Sequence, residues 1–223
     1  SVYAFQKSNA DKKETGTGLS LSLMESVFAP FKPIVKSYWK GDYFFIESNG
    51  LPQHRMMVGI TAWNQQVPLP HPFTGDNAFR LPLFPKISAN PVSGRENLFK
   101  GAIAVAVNGI PIFNPIKQDG RTDTNLAGEL DEYGGHAGRA DDYHYHIAPV
   151  HLQEIIGEGK PIAFALDGYP IYGYKEPDGS PVKDLDWLNG HTDKNGNYHY
   201  HATSNYPYLN GGFRGQVDLA GGQ

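Results

Sequence analysis

The feature that most constrains this chain is an ungapped internal match. Leu130–His146 reads LDEYGGHAGRADDYHYH, and Leu185–His201 reads LDWLNGHTDKNGNYHYH. The offset is 55 residues throughout, and eight of seventeen positions are identical: Leu, Asp, Gly, His, Tyr, His, Tyr and His. A second match lies upstream of each copy. Val105–Phe113 (VAVNGIPIF) aligns with Phe164–Tyr172 (FALDGYPIY) at an offset of 59. Each unit therefore carries an apolar strand, a turn at Asn108-Gly109 or Asp167-Gly168, an insertion, and then a histidine cluster. The two units span about 101–150 and 160–210. Two copies predict a pseudo-symmetric pair inside one domain, because a solenoid needs three or more repeats.

The rest of the chain predicts a mainly β fold with a few short helices and long ordered loops. Gly (26) and Pro (17) are abundant, which favours turns over long helices. Thirteen Tyr and twelve Phe suit pleated surfaces. Residues 1–37 read as a peripheral arm, with Ser8–Ser22 loosely ordered; 38–215 as one β-rich domain; and 216–223 as a tail. Tyr38–Ser48 and Arg55–Trp63 read as strands separated by a turn at Asn49-Gly50. Residues 64–97 hold six Pro and read as an irregular loop, and Gly101–Val107 as a buried strand. Val150–Ile156 and Thr124–Tyr133 are the candidate helices.

Charge and composition exclude several classes of function. The formal charge is −4 and basic residues form no patch, which argues against nucleic acid. No apolar run is long enough to span a membrane as a helix. With no Cys, disulfides and thiolate ligation are both excluded. The chain starts at Ser1 without a leader, and the expectation is a mature secreted or periplasmic form.

Each copy supplies histidines spaced His-x7-His-x-His: His136, His144 and His146, then His191, His199 and His201. Side chains two apart on a strand share a face, so each His-x-His offers two imidazoles to one point. Gly134-Gly135 or Gly190 lets the third histidine bend back. Three imidazoles with an open position make a known catalytic zinc arrangement, and neutral imidazole also suits copper. Zinc is the first choice and copper the second. A shared pocket between the repeats is expected over two separate sites. Asp131 and Asp186, five residues ahead of the first histidine, are candidates to orient an imidazole or to bind metal. Tyr145 and Tyr200 alternate with the histidines; they are core residues or, in a catalytic reading, proton donors and acceptors. Lys117, Arg139 and Arg214 could neutralise an acidic substrate.

The paired YHYH clusters, ALDGYPIYG (Ala165–Gly173), GGHAGRADDYHYHIAP (Gly134–Pro149) and YPYLNGGFRG (Tyr206–Gly215) resemble the bacterial YHYH-domain family. The resemblance covers about 101–215 and extends to SNGLPQH (Ser48–His54), which makes His54 a candidate seventh site histidine. It implies export in many members and a shared role for the histidine clusters, but no particular reaction. His71 and His151 have no partner in the repeat and read as incidental and as a helix-start residue.

Three readings follow. One is a metal-dependent hydrolase or lyase acting on an extracellular small molecule or carbohydrate. Another is a non-catalytic protein for metal binding or delivery. The third is a glycan-binding module with metal-stabilised loops. An open coordination position favours the first, and a closed four-donor site favours the others.

Overall fold

A computed structural model describes residues 13–62 and 66–218. Residues 1–12, which begin the expected arm, and 219–223, which end the expected tail, lie outside them. Among the described residues there are thirteen strands and two short α-helices in a single domain. No helix among them is long and apolar enough to cross a membrane.

The centre of the molecule is an eight-stranded sheet made by the two units. The first supplies β5 (Ala102–Ala106), β6 (Pro111–Phe113), β7 (Gly135–Ala137) and β8 (Tyr143–Tyr145). The second supplies β9 (Ala163–Ala165), β10 (Pro170–Tyr172), β11 (Gly190–Thr192) and β12 (Tyr198–His201). The order is β11-β12-β10-β9-β5-β6-β8-β7, so the two units run outward from a shared seam. At that seam β5 and β9 pair antiparallel, with Val105 opposite Phe164. Both strands are small and apolar because both of their faces are covered.

Helix α1 (Leu21–Phe28) packs into this core. Ser20 caps it by accepting the Leu23 amide at 3.1 Å. Leu21, Met24, Val27 and Phe28 are its buried stripe. Phe28 stacks on Phe164 at 5.9 Å and meets Phe44 at 5.7 Å. Part of the stretch read as a peripheral arm is thus a structural lid on the sheet.

Several local expectations are corrected. Tyr38–Ser48 is not one strand but a hairpin, β1 (Lys36–Lys40) and β2 (Tyr43–Glu47), turned at Gly41. Described residues of Arg55–Trp63 form no strand; Met57 is left-handed and its amide goes to Asp131 at 3.0 Å. The Pro-rich stretch holds two strands, β3 (Phe79–Pro82) and β4 (Ile87–Ser93). β3 pairs with β2 alone, and β4 with β13 (Gly212–Gly215) alone, and such edge strands tolerate proline. Thr124–Tyr133 is a series of turns: Asp123 accepts the Asn125 and Leu126 amides, and Gly128 breaks any helix with φ 73°. Val150–Ile156 does coil, as a 3-10 turn leading into α2 (Gln153–Ile156).

Candidate metal centres

The histidine spacing resolves into two hairpins. β7 pairs with β8 so that His136 stands directly opposite His144, and β11 pairs with β12 so that His191 stands opposite His199. His146 and His201 follow two residues on, on the same face. Three imidazoles therefore meet at the open end of each hairpin. In the first, Nε2 of His146 lies 3.0 Å from that of His144 and 3.1 Å from that of His136. In the second, Nε2 of His199 lies 3.1 Å from that of His191 and 3.0 Å from that of His201.

Close approach of backbone and tyrosine ring makes these hairpins possible. A Cβ on Gly135 would lie 2.6 Å from the Tyr143 hydroxyl, and one on Gly190 would strike the Tyr198 hydroxyl. The sharp bend itself is made one residue earlier, by left-handed Gly134 (φ 84°) and Asn189 (φ 68°).

Asp131 and Asp186 do not touch an imidazole. Asp131 accepts the Tyr133 and Gly135 amides at 2.9 and 3.1 Å and the Tyr143 hydroxyl at 2.8 Å. Asp186 accepts the Leu188 and Gly190 amides at 2.8 and 3.1 Å and the Tyr198 hydroxyl at 2.7 Å. Each carboxylate folds the loop that leads into its hairpin and ties it to a tyrosine on the face opposite the histidines.

Tyr145 and Tyr200 are fully buried on that opposite face. Asn108 donates to the Tyr145 hydroxyl at 3.0 Å, and the Tyr200 hydroxyl donates to Asp167 at 2.6 Å. Burial pushes both phenols well above their usual range, so they stay protonated at neutral pH. Burial also raises the Asp167 carboxyl, to about 6. His54 lies outside both histidine groups: its Nε2 sits 2.6 Å from the Tyr145 hydroxyl, and its ring stacks on Tyr133 at 4.0 Å. His151 stands edge-on to His54 at 5.1 Å.

The tautomers follow from the neighbours. Nδ1 of His136, His144 and His146 faces the carbonyl oxygens of Glu129, Asp142 and Asn114 at 2.9, 3.0 and 2.7 Å. A carbonyl only accepts, so each Nδ1 carries the proton, and in the neutral ring Nε2 is a bare lone pair. Burial holds His136 down to about 4 and His146 well below its usual value; the neighbouring imidazoles add to this. Converging lone pairs repel unless a cation sits among them. A tetrahedral zinc ion with Zn–N of about 2.0–2.1 Å spaces its ligand nitrogens about 3.3 Å apart, close to the separations here. The donor set fits a borderline metal: all nitrogen, with no thiolate.

The second centre has a donor that the histidine pattern does not contain. Glu176 places Oε1 at 2.9 Å from His191 Nε2, and Oε2 at 3.3 and 3.2 Å from those of His199 and His201. Its candidate ligand atoms and those of the three histidines all lie within 4.8 Å of one another, as do those of His136, His144 and His146. Among the described residues these are the two groups that could hold a metal.

The centres are separate. Four strands lie between β12 and β8 in the sheet. Five inter-strand steps of about 4.8 Å put them roughly 24 Å apart. The expected shared pocket does not form, because the units join through β5 and β9, the strands farthest from the histidines.

The fold and these sites define a mainly β protein with two groups of histidines suited to a metal. Residues 78–182 match the family model described as YHYH protein, which supports the likeness to the YHYH-domain family. The matched segment contains the whole first centre and Glu176, and ends before His191. Comparison with curated proteins and with solved structures gives no match.

Proposed function

We propose that this is a histidine-ligated transition-metal protein with two independent centres, zinc being the first choice and copper the second, working outside the cytoplasm. One observation supports this best: the Nε2 atoms of His136, His144 and His146 converge to 3.0–3.1 Å, a spacing that a shared metal ion would satisfy. The second centre supports it less strongly, because the Glu176 carboxylate would itself draw protonated imidazoles together.

The donor sets suit different work. Three histidines leave a coordination position, which is what metal-assisted hydrolysis or a lyase reaction needs. Three histidines and a glutamate make the four-donor set of a structural or carrier site. When bound, the metal would supply Lewis acidity at the first centre. The chain's own part is to fix the Nδ1 protons on backbone carbonyls and to keep bulk water from the ring nitrogens.

The test is elemental analysis of the purified protein beside His144→Ala and His199→Ala. Two equivalents of metal should fall to one in each variant. Loss of all metal in either variant would mean one coupled site. Absence of bound metal, with no uptake of added zinc or copper, would refute the reading.

A further inference from the structure

The face of the sheet opposite the histidines is closed differently in the two units. In the second, the Tyr200 hydroxyl donates to Asp167 at 2.6 Å and accepts the Arg214 amide of β13 at 2.8 Å. Asp167 also accepts the Gly215 amide at 3.0 Å, so a strand of the fold seals that place. In the first unit Asn108 stands where Asp167 does, and its Nδ2 donates to the Tyr145 hydroxyl. The acceptor for that hydroxyl comes from outside the unit: His54 Nε2, at 2.6 Å.

His54 is held on several sides. Its Nδ1 donates to the Arg55 carbonyl at 2.6 Å, which leaves Nε2 as the lone pair that accepts from Tyr145. The ring stacks on Tyr133 at 4.0 Å and meets His151 edge-on at 5.1 Å. Beside His54, Asn108 and His151 lies a pocket of about 60 Å³. Val35, Leu51 and Leu152 give it apolar walls. Ile34 and Ile155 also line it and are 39% and 54% exposed, so the pocket opens to solvent on that side. One water needs about 10–15 Å³ of such space, which leaves room for roughly four to six heavy atoms.

The lining decides what can enter. No Asp, Glu, Lys or Arg borders the pocket. Burial holds both histidines below their usual range, His151 at about 4, so both are neutral at pH 7. A charged ligand would give up its hydration and find no counter-charge. Both nitrogens of His54 are engaged, and the Asn108 amide nitrogen serves Tyr145. His151 is different: its Nε2 is buried with no hydrogen-bond partner among the described residues. Such a group calls for a bound molecule to satisfy it. Apolar walls around a few polar groups are the usual make-up of a small-molecule site.

We propose that this pocket binds a small uncharged alcohol of about four carbons, its hydroxyl paired with the His151 imidazole and its hydrocarbon chain against Val35, Leu51 and Leu152. A hydroxyl both donates and accepts, so it meets either tautomer of the ring. The site is separate from the metal centres, since Tyr145 and His54 lie on the face of β8 away from His144 and His146.

The probe is 1-butanol, titrated into isotope-labelled protein and followed by amide chemical shifts, beside butyrate and butylammonium at the same concentrations. Butanol should give saturable shifts concentrated at His54, His151, Leu152 and Ile155, and the two ions should give none there. His151→Phe should weaken butanol about tenfold, the equivalent of one hydrogen bond. Ile34→Trp, a change at an exposed rim position, should abolish the saturable response while the fold is kept. Zinc added beforehand should leave the response unchanged. Shifts that are scattered or do not saturate, equal responses to butyrate or butylammonium, or unchanged binding in Ile34→Trp would overturn the inference. So would a response that appears only with zinc, which would put the alcohol at a metal instead.

Discussion

The Tyr143 hydroxyl donates to Asp131 at 2.8 Å from the side of β8 opposite the imidazoles, and Tyr198 does the same to Asp186 at 2.7 Å. Each pair fastens the loop before a hairpin to the strand that carries two histidines. Tyr198→Phe leaves Asp186 Oδ2 without its donor, at a cost of about 1–3 kcal/mol. The expected result is a lower denaturation midpoint with the metal content unchanged. Loss of the metal at unchanged stability would show that the tyrosine belongs to the centre rather than to its scaffold.

Gly135→Ala should be more severe at the site than in the rest of the fold. The added methyl would sit 2.6 Å from both the His144 carbonyl and the Tyr143 hydroxyl. β7 must then move away from β8, taking His136 away from His144. The expected outcome is loss of about one metal equivalent, with the second centre intact. Metal titration of the variant beside wild type reads this directly.

Acid should weaken the metal-free protein. His136 titrates at about 4 when folded against 6.5 when unfolded, so the unfolded chain binds more protons between those values. Its contribution is fully present above pH 6.5 and is lost as pH falls towards 4, about 3 kcal/mol in all. His146, His199 and His201 shift in the same direction, mainly through burial. Asp167 opposes them: raised from 3.8 to about 6, it lowers stability as pH rises through that window. The histidines outnumber it, so urea midpoints of the apoprotein should rise between pH 4.5 and 6.5. A flat or falling profile would contradict the buried neutral imidazoles.

Metal should stabilise the fold by mass action. At a free zinc concentration a hundredfold above its dissociation constant, each centre would contribute about 2.7 kcal/mol. Chelation should lower the thermal midpoint of wild type more than that of His144→Ala, which has one centre to lose. Equal shifts would mean that the first centre is empty in wild type.

The histidine triads and their strands were legible because period-two spacing fixes a shared face, and because the repeat marked which histidines mattered. Glu176 was not legible, since its counterpart is Lys117 and a comparison keyed on identities passes over a charge reversal. The 59-residue offset does continue four positions past Phe113 and Tyr172 to Lys117 and Glu176, and Asp119-Gly120 and Asp178-Gly179 keep the register. The repeated aspartates do share a role, but they accept from loop amides and a phenol rather than from an imidazole. Sequence spacing says nothing of which face a loop carboxylate turns to. The strands at Phe79–Pro82 and Ile87–Ser93 were hidden by their prolines, which edge positions permit.

The seam between β5 and β9 has a consequence for how the molecule can be divided. Each of these strands would be a bare sheet margin without the other, a row of unused amides and carbonyls flanked by Ala104, Val105, Phe164 and Ala165. Either half cut loose would seek another strand to cover it, and a second copy of itself is the nearest match. The pair of centres therefore travels as one indivisible unit: each half shields the other's adhesive border, and proteolysis between them should yield aggregates rather than two working modules.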